Sequence, residues 1–152
     1  MKDEKFTDEV IELCTNIDDM TPEALGFAME MILESGALDV HYENIYMKKN
    51  RPAFKLCVLS TPEDEEKMAQ EIFRYTTAIG IRRQIMKRYI LCREIQTVET
   101  DYGKVRVKYS QGYHAQKFKL EYEDIARLAK ENRIGIDDMR RHLERSIRDS
   151  QE

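Results

Sequence analysis

Cys14-Thr15-Asn16-Ile17-Asp18-Asp19-Met20-Thr21-Pro22-Glu23 joins the end of an alternating apolar run to a helix start, with two adjacent carboxylates at the junction. Upstream, Ile11, Leu13 and Thr15 fall on one face of a strand and Val10, Glu12 and Cys14 on the other, because side chains alternate along extended backbone. Thr21 offers an N-cap oxygen, Pro22 takes the first helical position where a missing N–H costs nothing, and Glu23 favours the positive end of the helix dipole. Two readings of Asp18 and Asp19 stand. Either they form the turn and cap the helix, or they set hard oxygen ligands beside the free N–H groups of a helix N-terminus, which suits a metal-phosphate ligand.

Working outward, a helix runs to Ser35 on a stripe of Leu25, Ala28, Met29, Ile32 and Leu33, and Gly36 ends it. Leu38, Val40 and Tyr42 alternate with Asp39, His41 and Glu43 as a second strand. Phe54, Leu56 and Val58 alternate with Lys55 and Cys57 as a third, and Met47-Lys48-Lys49-Asn50-Arg51-Pro52 between them reads as an exposed hairpin loop. Thr61-Pro62-Glu63 repeats Thr21-Pro22-Glu23 at the predicted start of a second helix, which carries Met68, Ile72, Phe73 and Tyr75. Ile81 to Arg93 supplies the fourth strand. The order β-α-β-β-α-β over residues 9–93 predicts an α+β fold of the ferredoxin-like, split β-α-β kind, with four antiparallel strands carrying two helices on one face.

Residues 94–149 read as an appended β-hairpin and helical subdomain. Ile95, Thr97 and Glu99 lead through Asp101-Tyr102-Gly103-Lys104 to Val105, Val107 and Tyr109. Ser110-Gln111-Gly112-Tyr113-His114 is polar and broken by glycine, with no assignable element. A helix from Glu123 to Lys130 and another capped by Asp137 and carrying Met139, His142, Leu143 and Ile147 complete the chain, and residues 150–152 are expected to fray.

A chain of 152 residues with 41% apolar and 36% charged side chains can bury one sizeable core and needs no disordered tract. Its net charge of −4 makes nucleic acid a poor partner, although clustered cations can still make a local anion site. The lack of any membrane-length apolar run, and of an apolar signal segment behind Met1-Lys2-Asp3-Glu4-Lys5, predicts a cytoplasmic protein with no membrane partner. Cys14, Cys57 and Cys92 lie far apart with no Cys-x-x-Cys pair, so they read as small buried thiols in a reducing compartment. His41, His114 and His142 show no metal-binding spacing.

Lys48, Lys49 and Arg51 are either solvated loop charges or an anion clamp of two ammoniums and a guanidinium. Thr76, Thr77, Arg82 and Arg83 around Gly80 bring hydroxyls and cations suited to phosphate or ribose, yet neither common nucleotide fingerprint is present. In the expected fold these segments need not share one edge of the sheet. An RNA-recognition reading of the sheet fails on the third strand, where Phe54-Lys55-Leu56-Cys57-Val58 has a single aromatic and no glycine.

Taken together, Thr15-Asn16-Ile17-Asp18-Asp19-Met20-Thr21-Pro22-Glu23, Ser35-Gly36-Ala37-Leu38-Asp39-Val40, Ile45-Tyr46-Met47-Lys48-Lys49-Asn50-Arg51-Pro52 and Thr76-Thr77-Ala78-Ile79-Gly80-Ile81-Arg82-Arg83 resemble one family. It is the C-terminal domain of the LarC nickel-insertion proteins, formerly a domain family of unknown function. Thr97 to Lys108 and Glu121-Tyr122-Glu123-Asp124 extend the resemblance, which covers roughly Glu12 to Asp138.

The resemblance implies a part in making the nickel-pincer nucleotide, the cofactor of lactate racemase. Nickel is there the substrate metal, inserted into pyridinium-3,5-bisthiocarboxylic acid mononucleotide in a CTP-dependent cyclometallase step of lyase type. It implies CTP bound with Mg²⁺ or Mn²⁺, for which Asp18 and Asp19 are the candidate metal ligands. Asn16, Lys48, Lys49, Arg51, Thr76, Thr77 and Arg82 are the candidate nucleotide contacts. The implied partners are the nucleotide, the N-terminal region or chain of the same enzyme, without which no activity is expected, and further copies in a homo-oligomer. A different class of function fits the same fold: a non-catalytic ligand-binding or oligomerisation module.

Overall fold

The structure, a computed structural model, describes residues 6–149, so the expected fraying of residues 150–152 lies outside the described residues. The chain divides into two compact units, Thr7–Arg88 and a second formed from Tyr89 onward. The first unit carries β1 (Phe6–Ile17), α1 (Pro22–Glu34), β2 (Asp39–Met47), β3 (Arg51–Ser60), α2 (Glu65–Tyr75) and β4 (Arg82–Ile90). Its sheet has the order β2-β3-β1-β4, the arrangement of the ferredoxin-like split β-α-β.

The alternation read from the sequence sets the faces. Ile11, Leu13 and Ile17 of β1, Val40 of β2, and Leu56 and Val58 of β3 form one core with Leu25 and Ile32 of α1 and Met68 and Ile72 of α2. Each such side chain, fully buried, contributes about 1.5–3 kcal/mol. α1 starts where expected: Thr21 is extended (φ −74°, ψ 154°) and its hydroxyl accepts the Ala24 N–H at 3.2 Å. The second Thr-Pro-Glu behaves differently. α2 begins at Glu65, and the Thr61 hydroxyl instead accepts the Asp64 N–H at 3.3 Å, closing a turn ahead of the helix. Leu33 and Phe73 are exposed rather than part of the helical stripes, because each follows a buried isoleucine and so projects about 100° round the helix from it.

The fourth strand expected through Arg93 is two strands, β4 ending at Ile90 and β5 (Cys92–Thr100), the first strand to lie wholly in the second unit. There β5, β6 (Gly103–Gly112) and β7 (Ala115–Leu120) form an antiparallel sheet in chain order. β7 is a strand the sequence reading lacked. The polar, glycine-broken segment before it is the end of β6 and a tight turn, with Tyr113 (φ 49°) and His114 (φ 57°) both left-handed. α3 (Tyr122–Asn132) and α4 (Ile136–Asp149) pack on this sheet through Val105, Val107, Leu120, Ile125, Leu128, Met139, Leu143 and Ile147. Asp137 lies inside the first turn of α4 rather than capping it, since the Gly135 carbonyl already accepts the Met139 N–H at 2.9 Å. Arg106 of β6 grips Asp124 of α3 with its backbone N–H (2.9 Å) and Nε (2.8 Å) on one oxygen and Nη2 (3.3 Å) on the other.

Candidate functional site

The antiparallel register brings three strand ends to one edge of the first unit. Ile17 at the end of β1 pairs with Phe54 near the start of β3, and Met47 at the end of β2 pairs with Arg51 across the hairpin. The start of β4 reaches the same edge, where Arg82 donates from Nη2 to Asn16 Oδ1 at 2.8 Å. The segments that need not have met therefore do meet. Asp18 accepts from Arg51 Nη1 at 3.1 Å, and Asp19 accepts from the Thr77 hydroxyl. Thr15, buried on the helix side of β1, donates to the Gly80 carbonyl at 2.9 Å and ties the α2–β4 loop to this edge.

Six of the candidates thus form three contacts: Asn16 with Arg82, Asp18 with Arg51, and Asp19 with Thr77. Thr76 does not face them. Its hydroxyl donates to the Ile72 carbonyl at 2.7 Å and accepts the Ala78 N–H at 3.2 Å, so it closes the end of α2. Lys48 and Lys49 stand exposed in the hairpin, with no ion pair or hydrogen bond among the described residues. Lys49 (φ 64°, ψ 26°) and Asn50 (φ 55°) are both left-handed. Asparagine accepts that conformation readily, while for lysine it costs about 1–2 kcal/mol.

The chemistry of this donor set suits a cation that takes most of its ligands from elsewhere. Asp18 and Asp19 make different contacts, one on β3 and one on the α2–β4 loop, and no group of three or more candidate metal-ligating side chains surrounds them among the described residues. Two carboxylates are enough for Mg²⁺ or Mn²⁺ when phosphate oxygens and water complete the shell. Arg51 is more than half exposed and Asp18 about a quarter exposed, so their pair is a screened one that a stronger ligand can exchange.

A second cluster occupies the helix-free face of the same sheet. His41, Cys57 and Cys14 stand directly opposite one another across β2, β3 and β1. Cys14 Sγ lies 3.4 Å from Cys57 Sγ, Cys57 Sγ lies 3.7 Å from Glu43 Oε1, and His41 Nε2 lies 3.6 Å from the same oxygen. Lys55 Nζ, at 3.3 Å, also holds Glu43 and keeps its carboxyl below the usual range. Burial, then the adjacent Cys57 thiol, pushes the Cys14 thiol well above the usual range for cysteine. The expectation of buried thiols holds for Cys14 and Cys57, but Cys92 is exposed. Sequence spacing hides this cluster because its members come from three strands, and only strand order and register align them.

A groove of about 660 Å³ in the second unit is lined by Gln96, Tyr109, Gln111, Phe118 and Ile147, among others, and by none of the candidate residues. Among the described residues no helix is long and apolar enough to cross a membrane.

Comparison with known proteins points one way. The profile of a family described as nickel insertion protein matches residues 1–140. The pyridinium-3,5-bisthiocarboxylic acid mononucleotide nickel insertion protein of Acetivibrio thermocellus is 48% identical over 133 residues, 88% of this chain and 33% of that protein. The protein of the same description from Alkaliphilus metalliredigens is 50% identical over 122 residues, 80% of this chain and 29% of that one. This chain therefore spans about a third of the length of the curated relatives it matches. A solved structure, the apo form of LarC2, is described as the C-terminal domain of a cyclometallase involved in synthesis of the NPN cofactor of lactate racemase. It superimposes with a TM-score of 0.85 at 37% identity, over 93% of this chain and 99% of that one.

Proposed function

The chain belongs to the nickel insertion protein family, and from that premise we propose that it is the metal-CTP-binding C-terminal part of the enzyme that inserts nickel into pyridinium-3,5-bisthiocarboxylic acid mononucleotide. The observation that carries the reading is the meeting of Asn16, Asp18, Asp19, Arg51, Thr77 and Arg82 at one end of one sheet. Carboxylates, cations and a hydroxyl within one edge are what a triphosphate with a divalent cation requires.

In this reading CTP with Mg²⁺ or Mn²⁺ supplies the polyphosphate on which the insertion step depends, and nickel is the substrate metal. Asp18 would hold the cation in place of the Arg51 guanidinium, and Arg51 would hold phosphate oxygens with its planar fork. The loss of the Arg51–Asp18 pair would be offset, because each partner gains a new opposite charge. Asp19 would hold the cation beside it, leaving the Thr77 hydroxyl to the nucleotide. Lys48 and Lys49 add point charges from the hairpin. Thr76 enters indirectly, by holding the end of α2 and so the loop that presents Thr77.

Calorimetric titration of CTP in the presence of Mg²⁺ or Mn²⁺ tests this. Asp18→Ala and Lys48→Ala are each expected to weaken binding, Asp18→Ala by about tenfold, the loss of one charge-assisted contact of about 1.5 kcal/mol. Unchanged affinity in both variants would sink the assignment. Nickel transfer is expected only when the N-terminal region of the enzyme is supplied.

One observation favours a second reading as an assembly module. Ile79 is fully exposed beside Thr77, and Tyr46 is largely exposed at the end of edge strand β2. Apolar groups at a sheet edge suit packing of a second copy or of the N-terminal region. A stable oligomer whose melting temperature no nucleotide raises would favour that reading over the first.

A further inference from the structure

The helix-free face of the first unit carries a set of donors that neither the nucleotide reading nor the core uses. We propose that His41, Glu43 and Cys57, with Cys14 alongside Cys57, form a binding site for a thiophilic divalent transition-metal ion of the nickel and zinc class. The inference is independent of the CTP reading, since it uses none of the residues assigned to the nucleotide.

The geometry supplies three ligands of such a shell. The donor atoms of His41, Glu43 and Cys57 lie within 4.8 Å of one another, and so do those of Glu12, Cys14 and Cys57. Cys57 Sγ is common to both groups. A tetrahedral ion with bonds of about 2.3 Å to sulfur and about 2.0–2.1 Å to nitrogen or oxygen separates its ligand atoms by roughly 3.4–3.8 Å. The separations here are 3.4 Å between the two Sγ atoms, 3.7 Å from Cys57 Sγ to Glu43 Oε1 and 3.6 Å from that oxygen to His41 Nε2. His41, Glu43 and Cys57 thus stand as three ligands of one ion, and Cys14, which lies outside their group, would have to turn toward it to serve as a fourth.

The donor types select the ion. A thiol and an imidazole favour nickel, zinc or cobalt over Mg²⁺ or Ca²⁺, which take oxygen ligands. The site is therefore chemically orthogonal to the Asp18 and Asp19 edge. Its protein frame is rigid, since His41, Cys57 and Cys14 occupy one row across three hydrogen-bonded strands. Lys55 supplies the positive charge beside Glu43 in the absence of an ion. When the ion binds, the protons of the thiols leave to solvent and the Lys55 ammonium moderates the charge of the resulting thiolates. His41 is exposed, which leaves an entry route from solvent, while Cys14 and Cys57 are buried beneath it.

The test uses the full chain with thiols reduced, titrated with Ni²⁺, Zn²⁺ and Co²⁺ in a competing chelator and without nucleotide. One ion per chain is expected, with a thiolate-to-metal charge-transfer band for Ni²⁺ and Co²⁺. Cys57→Ser should abolish the band, His41→Ala should weaken binding by about tenfold or more, and Cys92→Ser should change neither. Absence of the band at saturating Ni²⁺ and Co²⁺ would overturn the proposal, as would its persistence in Cys14→Ser and Cys57→Ser together. Should Cys57→Ser fold poorly by circular dichroism, the exposed His41→Ala decides, and unaltered affinity there overturns the site. CTP binding measured in the same variants keeps the two readings apart: it should be untouched by His41→Ala whichever way the metal titration falls.

Discussion

Replacing Lys49 by glycine should stabilise the protein and weaken the CTP binding proposed for it, two effects of opposite sign from one residue. The first comes from backbone. Lys49 holds φ 64° and ψ 26°, left-handed values that cost a side-chain-bearing residue about 1–2 kcal/mol. Glycine removes that cost but returns about 0.5–1 kcal/mol through the greater freedom of its unfolded chain. The net gain is about 0.5–1 kcal/mol, or roughly 2 °C in melting temperature for a chain of this size. The second effect is electrostatic, since an exposed ammonium–phosphate contact is worth up to about 1 kcal/mol, about fivefold in Kd. Lys49→Ala separates the two, because alanine loses the charge and keeps the strain. Thermal melts of the ligand-free variants should rank Lys49→Gly above Lys49→Ala by about 0.5–1 kcal/mol. CTP titrations with Mg²⁺ should find both weakened alike. Equal stability of the two variants would refute the strain argument, and undiminished CTP affinity in both would refute the role given to the hairpin lysine.

Asp124 should make the second unit acid-sensitive. The Arg106 fork holds its carboxyl below the usual carboxylate range against the opposing effect of burial, so its contribution is fully present above about pH 4, the unfolded value, and is lost as pH falls through the lower folded value. Melting temperatures between pH 5 and pH 2 should fall less steeply in Asp124→Asn than in the unaltered chain, and parallel slopes would contradict the argument. Gly103→Ala should destabilise by about 1–3 kcal/mol, since φ there is +120° and the new Cβ would stand 3.1 Å from Leu128 Cδ2; a denaturant midpoint equal to that of the unaltered chain would exclude it. Thr21→Ala removes the acceptor of the Ala24 N–H and should cost about 1 kcal/mol, read as faster amide exchange in the first turn of α1.

The α+β class, the split β-α-β order, the cap of α1 and most of the first unit's core were legible in the sequence, because each depends on periodicity or on residues within a few positions of one another. Thr21-Pro22-Glu23 announces a helix by local chemistry, and Leu56 and Val58 announce a buried strand face by alternation. The same local logic failed where two turns share a motif: Thr61-Pro62-Glu63 makes a turn three residues ahead of α2, which no isolated tripeptide can declare. It also failed at Leu91, where one expected strand becomes two.

The residue types of the Asp18 and Asp19 edge were likewise readable, and family resemblance supplied the metal-nucleotide role proposed for them. Their meeting was not readable, since Asp18 reaches Arg51 and Asn16 reaches Arg82 only through the antiparallel pairing of β1 with its neighbours in the sheet. Cys14, Cys57 and His41 carry this furthest. Taken one at a time along the chain they are two buried thiols and a strand histidine, and in the folded sheet they are one row of donors. Local propensity is written residue by residue, whereas strand order and register are settled by which faces bury together, and only the tertiary structure decides that.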